Sequence, residues 1–131
     1  MKYLCLVYHE EKKLDDLPRG EWNALVDESL ALREELQASG RGIAAEALQD
    51  VDTAMTVRIR SGKASTTDGP FVETKEQLGG FFLIDVSDLN EAIQVAARIP
   101  GARVGSVEVR PIRDLVADRG NMAHDSSAIG K

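Results

Sequence analysis

The apolar pattern of the chain predicts an α+β fold of order β-α-β-β-α-β, with an antiparallel sheet carrying two helices on one face. Three observations support this. Residues 3–8 (Tyr-Leu-Cys-Leu-Val-Tyr) and residues 80–86 (Gly-Phe-Phe-Leu-Ile-Asp-Val) are apolar on both faces, as strands in the middle of a covered sheet must be. Residues 53–60 and 105–112 instead alternate apolar with polar, as half-wet edge strands do. Two segments with a helical apolar period separate these strands.

The first strand has faces Tyr3/Cys5/Val7 and Leu4/Leu6/Tyr8, and residues 9–13 read as its charged exit. Leu17-Pro18-Arg19-Gly20 leads into a helix over residues 21–39, with Trp22, Leu25, Val26, Leu32 and Leu36 near one side. Gly40 and Gly42 end it, because glycine adopts the left-handed cap conformation at little cost. Residues 43–51 read as an irregular connection, with one short extended piece at Ile43-Ala44-Ala45. In residues 53–60, Met55, Val57 and Ile59 share one face, with Thr56, Arg58 and Arg60 on the other. Ser61-Gly62-Lys63 is a hairpin turn from which residues 64–67 pair back.

Asp68-Gly69-Pro70 is a rigid turn, and Gly79-Gly80 admits the chain to the next strand, with faces Phe82/Ile84/Val86 and Phe81/Leu83. Since it precedes a proline, Gly69 is expected to be extended rather than helical. Asp88-x-x-Glu91 resembles a capping box and opens a second helix with Leu89, Ala92, Ile93 and Ala96 inward; Pro100-Gly101 closes it. In the last strand Val107 and Val109 face the helices, and Glu108 and Arg110 face away. This order is the ferredoxin-like arrangement, with the first and third strands central. The face bearing Leu4, Leu6, Tyr8, Phe81 and Leu83 is then uncovered, a larger apolar patch than monomers normally expose. A second copy laid sheet against sheet covers it, which predicts a homodimeric α/β barrel.

At 131 residues the chain fits one domain, expected over residues 1–113, followed by a flexible tail at 114–131. Its net charge of −6, from 22 acidic and 16 basic residues with no basic cluster, argues against a direct nucleic-acid partner. No apolar run approaches the roughly 18–20 residues of a membrane span, and no signal-peptide pattern opens the chain. A cytoplasmic protein is expected. Cys5, the sole cysteine, excludes an internal disulfide and reads as a buried thiol.

The long motif Thr67-Asp68-Gly69-Pro70-Phe71-x-Glu73-Thr74-Lys75-Glu76-x-Leu78-Gly79-Gly80 resembles the YCII-related family, in its DGPF-motif branch. Residues 1–8, Thr56-Val57-Arg58 and Val107-Glu108-Val109-Arg110-Pro111 are similar to the same group, so the resemblance spans residues 1–113. It implies a ferredoxin-like dimeric α/β barrel. It also implies either an accessory role beside extracytoplasmic-function sigma factors or, as in a few relatives with a His-Asp pair, action on small aromatic compounds. The histidines of this chain are His9, just after the first strand, and His124, in the tail.

Candidate chemistry is sparse. Glu73 and Lys75 form either a charged lip with Glu73 as general base, or an ion pair that stiffens the turn. Glu108 and Arg110 can bind a carboxylate or polarise a carbonyl inside a barrel, or can pair with each other or across a dimer. Tyr8 offers a hydroxyl or packs the barrel end, and His9 is either an acid–base group or a solvated strand exit. The expected pocket lies between the open sheet face and the arm at residues 68–75, lined by Tyr8, Phe71, Glu73, Phe81, Glu108 and Arg110, with Lys75 at its lip. Catalytic candidates are Glu73, Glu108 and His9. No metal-ligand spacing, phosphate loop or dinucleotide fingerprint is present, so no cofactor is expected. Two functions fit: an accessory protein holding a small ligand, or a cofactor-free isomerase or lyase.

Overall fold

The computed structural model describes residues 1–120. In chain order it contains β1 (Lys2–His9), α1 (Glu11–Asp15), α2 (Arg19–Ala38), β2 (Gly42–Ala47), β3 (Met55–Arg60), β4 (Lys63–Asp68), β5 (Gln77–Asp85), α3 (Leu89–Ala96), α4 (Gly101–Val104), β6 (Ser106–Pro111) and α5 (Leu115–Arg119). Four strands form one antiparallel sheet in the order β2-β5-β1-β6, and the chain has the expected ferredoxin-like α+β fold.

The two doubly apolar strands are the central pair. Their helix-side residues Tyr3, Cys5, Phe82 and Ile84 join Leu32 and Leu36 of α2 and Ala92, Val95 and Ala96 of α3 in one buried core. Val107 and Val109 of β6 pack against its margin. Burial pushes the Cys5 thiol up to about 11, so it is protonated and inert at neutral pH. On the opposite face the register aligns two rows, Ala44-Leu83-Leu4-Arg110 and Glu46-Phe81-Leu6-Glu108. Leu4, Leu6, Phe81 and Leu83 are only half-buried there, because among the described residues no element covers them.

One strand assignment is corrected. Residues 55–60 do not form the second sheet edge; they pair with β4 in a separate two-stranded ribbon, and Gly42–Ala47 takes the edge beside β5. The chain doubles back immediately after α2, with Gly42 packed so closely that a Cβ there would lie 2.9 Å from Leu36 Cβ. The clean alternation of residues 55–60 suits a free ribbon as well as a sheet edge, so it could not tell the two apart. The alanine-rich edge strand, in turn, carried almost no alternation signal. The ribbon turn itself is as expected: Ser61 and Gly62 have φ of 52° and 76°, the left-handed pair of a two-residue hairpin loop.

Three short helices were not anticipated: α1, α4, which follows Pro100 where the second helix was expected simply to end, and α5. The charged exit after β1 turns into α1, and Asp114 caps α5 by accepting from the Val116 and Ala117 amides at 3.1 Å. The first part of the tail is thus a helical turn rather than flexible chain; residues 121–131, with His124, lie outside the described residues. At α3 the capping box is present, with Asp88 accepting from the Glu91 amide at 2.9 Å. Glu91 reaches back to the Ser87 amide and hydroxyl at 2.8 Å, and these bonds lower its pKa.

Gly69 has φ of 91°, a left-handed value rather than a plain extended one, and donates its amide to the Ala54 carbonyl at 2.7 Å. A Cβ there meets nothing within 4 Å, so the backbone angle alone selects glycine. Gly69→Val should therefore cost about 1–3 kcal/mol of stability through backbone strain. Urea denaturation measures this, and an unchanged midpoint would contradict the assignment.

Candidate functional site

The core does not fill all the space between helices and sheet. Leu32 and Leu36, in the C-terminal half of α2, are buried over the start of β1 and the end of β5. Toward its N-terminus the same stripe presents Trp22, Leu25 and Val26 to the other half of the sheet, where the facing strand residues are small: Ala45 and Ala47 of β2, Gly79 and Gly80 of β5. Large residues over small ones leave a cleft of about 280 Å³. Val7 and Phe82 extend its apolar wall, the segment 99–104 closes one side, and Leu14 of α1 stands at its end.

Two surface ion pairs join α2 to its neighbouring segment. Arg103 makes a bidentate contact with Glu28 at 2.8 and 2.9 Å, and Arg98 meets Glu35 at 2.6 Å. Both link α2 to the segment around α4, and both arginines hold their carboxylates below the usual range by hydrogen bonding. Fully exposed pairs of this kind orient two walls more than they stabilise them.

His9 is the polar group built into this space. The register of β1 on β5 shifts between Val7 and Tyr8, leaving Gly79 as an extra residue beneath the imidazole. A Cβ on Gly79 would overlap His9 Cε1 and fall 2.7 Å from Nδ1, so the ring lies flat where a side chain would otherwise stand. On the far side Gly105 approaches so closely that a Cβ would overlap the Tyr8 carbonyl oxygen. His9 is thus half-buried and fixed between two glycines, with the cleft in front of it.

Arg33 also lines the cleft, donating to the Ala45 carbonyl at 3.5 Å. Asp15 and Asp50 stand at its rim. Glu11 clamps the rim: its amide donates to Gln77 Oε1 at 3.0 Å, and its Oε2 accepts from the Val51 amide at 2.9 Å. Both ends of the excursion that carries the ribbon are thereby held by one residue of α1.

The candidate catalytic and pocket residues fall into three places. His9 lines the cleft, and Phe81 borders it from β5. Tyr8, Glu108 and Arg110 lie with the Phe81 side chain on the opposite, open face of the sheet, where Glu108 and Arg110 are exposed and make no ion pair with each other among the described residues. Phe71, Glu73 and Lys75 belong to the exposed segment between β4 and β5. Lys75 pairs with Glu10 at 3.7 Å rather than with Glu73. The cleft lies under the helices, not between sheet and arm. Sequence reading missed Trp22, Arg33 and Glu11; the available signal was a bulky helix stripe opposed by Ala and Gly on two adjacent strands.

The family model for the YCII-related domain matches residues 1–116. The chain belongs to the YCII-related family. An uncharacterized protein of Rhizobium meliloti (strain 1021) is 34% identical over 114 residues, covering 86% of this chain and 92% of the relative. In this YCII-related chain the motif glycines have a visible task, since Gly79 makes room for His9 and Gly80 lets the backbone of β2 approach. Among the described residues no group of three or more His, Cys, Asp and Glu side chains could hold a metal ion, and no helix is long and apolar enough to cross a membrane.

Gly79→Ala should push the His9 ring out of its seat and cost about 1–3 kcal/mol through overpacking. The His9 ring resonances in NMR should move while those of the open face do not. Unchanged ring resonances would show that the imidazole does not rest on Gly79.

Proposed function

We propose that this YCII-related protein binds a small, predominantly apolar molecule, one or two rings in size, in the cleft beneath α2. The observation that carries this reading is His9, an imidazole seated on a glycine bulge and facing a cleft whose apolar wall is Val7, Leu14, Trp22, Leu25 and Phe82, with Arg33 and the rim carboxylates as its other polar groups. Apolar walls with a few convergent polar groups suit a small organic ligand, and a cleft near 280 Å³ suits a compact one. His9 supplies one hydrogen bond that fixes orientation. The resulting function is that of an accessory ligand-holding protein, and the sigma-factor pathway implied by the family resemblance gives such a sensor its output.

A second reading rests on the same residue. An imidazole held rigidly beside an apolar cleft can take a proton from one carbon of a bound molecule and return it to another carbon, as a cofactor-free isomerase requires, or to a departing leaving group, as a lyase requires. The two readings separate at turnover. Indole or phenol added at millimolar concentration should raise the melting temperature, because a ligand that binds only the folded state stabilises it by about 2.7 kcal/mol at a hundred times Kd. Filling the cleft with Ala47→Phe should abolish that rise. Absence of any shift with either probe would refute ligand binding in the cleft. For a natural compound that does bind, return of the compound unchanged favours the sensor. Conversion that is lost in His9→Gln, with binding retained, favours the enzyme.

We assign the open sheet face to a homodimer. Leu4, Leu6, Phe81 and Leu83 form a half-buried apolar centre flanked by Glu46, Glu108 and Arg110 at the two sheet edges. A polar border around an apolar centre is the usual anatomy of a subunit interface. Tyr8, Glu108 and Arg110 then serve the interface, as does any ligand pocket that forms between it and Phe71, Glu73 and Lys75. The wild-type chain should sediment near twice 14.3 kDa at micromolar concentration. Leu6→Asp should give a monomer or an unfolded chain, because it places an unpaired charge at a buried apolar site.

A further inference from the structure

The cleft beneath α2 holds one cation that its apolar walls do not account for. Among the described residues, the half-buried lysine and arginine side chains are Arg33 and Arg41. Arg41 has the Glu91 and Glu35 carboxylates at 3.5 and 3.9 Å, whereas Arg33 has none within 4 Å among the described residues. Its own helix offers no acid either, since the residues three and four positions away are Ser29, Leu30, Leu36 and Gln37. The guanidinium donates to the Ala45 carbonyl, and at 3.5 Å that bond lies at the outer limit of hydrogen-bond geometry. Most of its N–H donors are thus left for another acceptor.

Arg33 has a neighbour suited to the same task. Ser29 lies one turn earlier on the same side of α2, is half-buried and lines the same cleft. Its hydroxyl donates to the Leu25 carbonyl at 2.9 Å, an oxygen that also takes part in the helix ladder, so the hydroxyl can turn toward a ligand at little cost.

The acids of the cleft are placed differently. The Glu46 side chain belongs to the row on the open face of the sheet, and Glu11 Oε2 accepts from the Val51 amide. Asp15 and Asp50 are exposed at the rim. Arg33 instead stands toward the closed end, next to buried Leu32 and within reach of buried Ala45. Water and salt screen exposed carboxylates, whereas a half-buried guanidinium beside apolar walls keeps more of its pull on an anion. Arg33 reaches the row of Ala45 and Phe82, and the His9 ring rests on Gly79, three residues along β5. Three strand residues span about 10 Å, the length of a ring with a carboxylated arm.

We propose that the ligand of the cleft is a compact organic acid, its carboxylate on the Arg33 guanidinium and the Ser29 hydroxyl. Its ring lies under Trp22 and Leu25, and its far end points toward His9. A planar carboxylate matches the guanidinium fork and takes two of its N–H donors. This assignment rests on the cleft being a ligand site and adds the chemical class of the ligand.

Calorimetric titration of the full-length chain with phenylacetate and indole-3-acetate, each against its primary amide, tests the assignment. The wild type should bind each acid about tenfold or more tightly than the amide, as a charge-assisted pair requires. Arg33→Gln should abolish that preference while leaving the affinity for the amides unchanged. In the wild type the Arg33 Nε–H resonance should move with either acid and stay in place with its amide, a readout that needs no variant to fold. Equal affinity for acid and amide, or an acid preference that survives in Arg33→Gln, overturns the carboxylate anchor and leaves the cleft reading intact. Binding of indole or phenol without binding of either acid does the same. If acids, amides, indole and phenol all fail to bind, the cleft reading falls and the anchor falls with it.

Discussion

The antiparallel pairing of β1 with β5 is the constraint on which the other elements depend. It places Tyr3 beside Ile84 and Cys5 beside Phe82 on the helix side, and Leu4 beside Leu83 and Leu6 beside Phe81 on the other. Because side chains alternate with a period of two, slipping this pairing by one residue would send the buried set to the open face. Beside this pairing the Met1 amine donates to the Val86 carbonyl at 2.7 Å and to the Asp85 carboxylate at 3.2 Å. β2 and β6 then hang on the outer edges of the pair, and α2 and α3 have a defined apolar surface to cover.

At the opposite end of the same pair the regular ladder gives way, and this is where the site arises. The shift at Val7/Tyr8 leaves Gly79 unmatched, and the space its missing side chain vacates is taken by His9. Helix contacts follow the same gradient. Leu36 and Ile99 are almost fully buried, whereas Trp22 and Leu30, farther along α2, remain partly in solvent. A core that closes at one end of a sheet and opens at the other leaves a cleft. The Arg98–Glu35 and Arg103–Glu28 pairs link α2 to the neighbouring segment at the surface.

What could be read in advance follows from how much burial each residue undergoes. Strands apolar on both faces have one interpretation, and the central pair, its helix-facing residues and the uncovered face were all legible from residues 3–8 and 80–86. The capping box at Asp88 and the Ser61-Gly62 turn are local chemistry and equally legible. The edge strand was legible only as a short extended piece at residues 43–45, because Ile43 is the sole β-branched residue of Gly42–Ala47 and the alanines give no alternation; its position comes from contact with β5 rather than from its own preference. The cleft escaped for a related reason. A helix stripe that reads as core along its whole length does not announce that half of it faces alanine and glycine. His9, the group that gives the cleft a polar end, sits in a charged run whose composition suggests solvent.

The five-residue helix α1 joins these features. A helix of one turn has almost no stability of its own, since nucleation is unfavourable and propagation is too short to repay it. It is ordered here by the side chain of Gln77, which accepts from the Glu11 amide, while Glu11 in turn fixes Val51 at the start of the ribbon excursion. Glu10 adds a second tie by pairing with Lys75 in the segment that returns from the ribbon. Departure and return of the arm are therefore both fastened to α1, which also forms the end wall of the cleft through Leu14. Displacing Glu11 would loosen the root of the arm and the rim of the cleft together. The start of β5, through Gln77, therefore orders α1 beside the cleft, and the segment between β4 and β5 adds only the surface pair of Lys75 with Glu10.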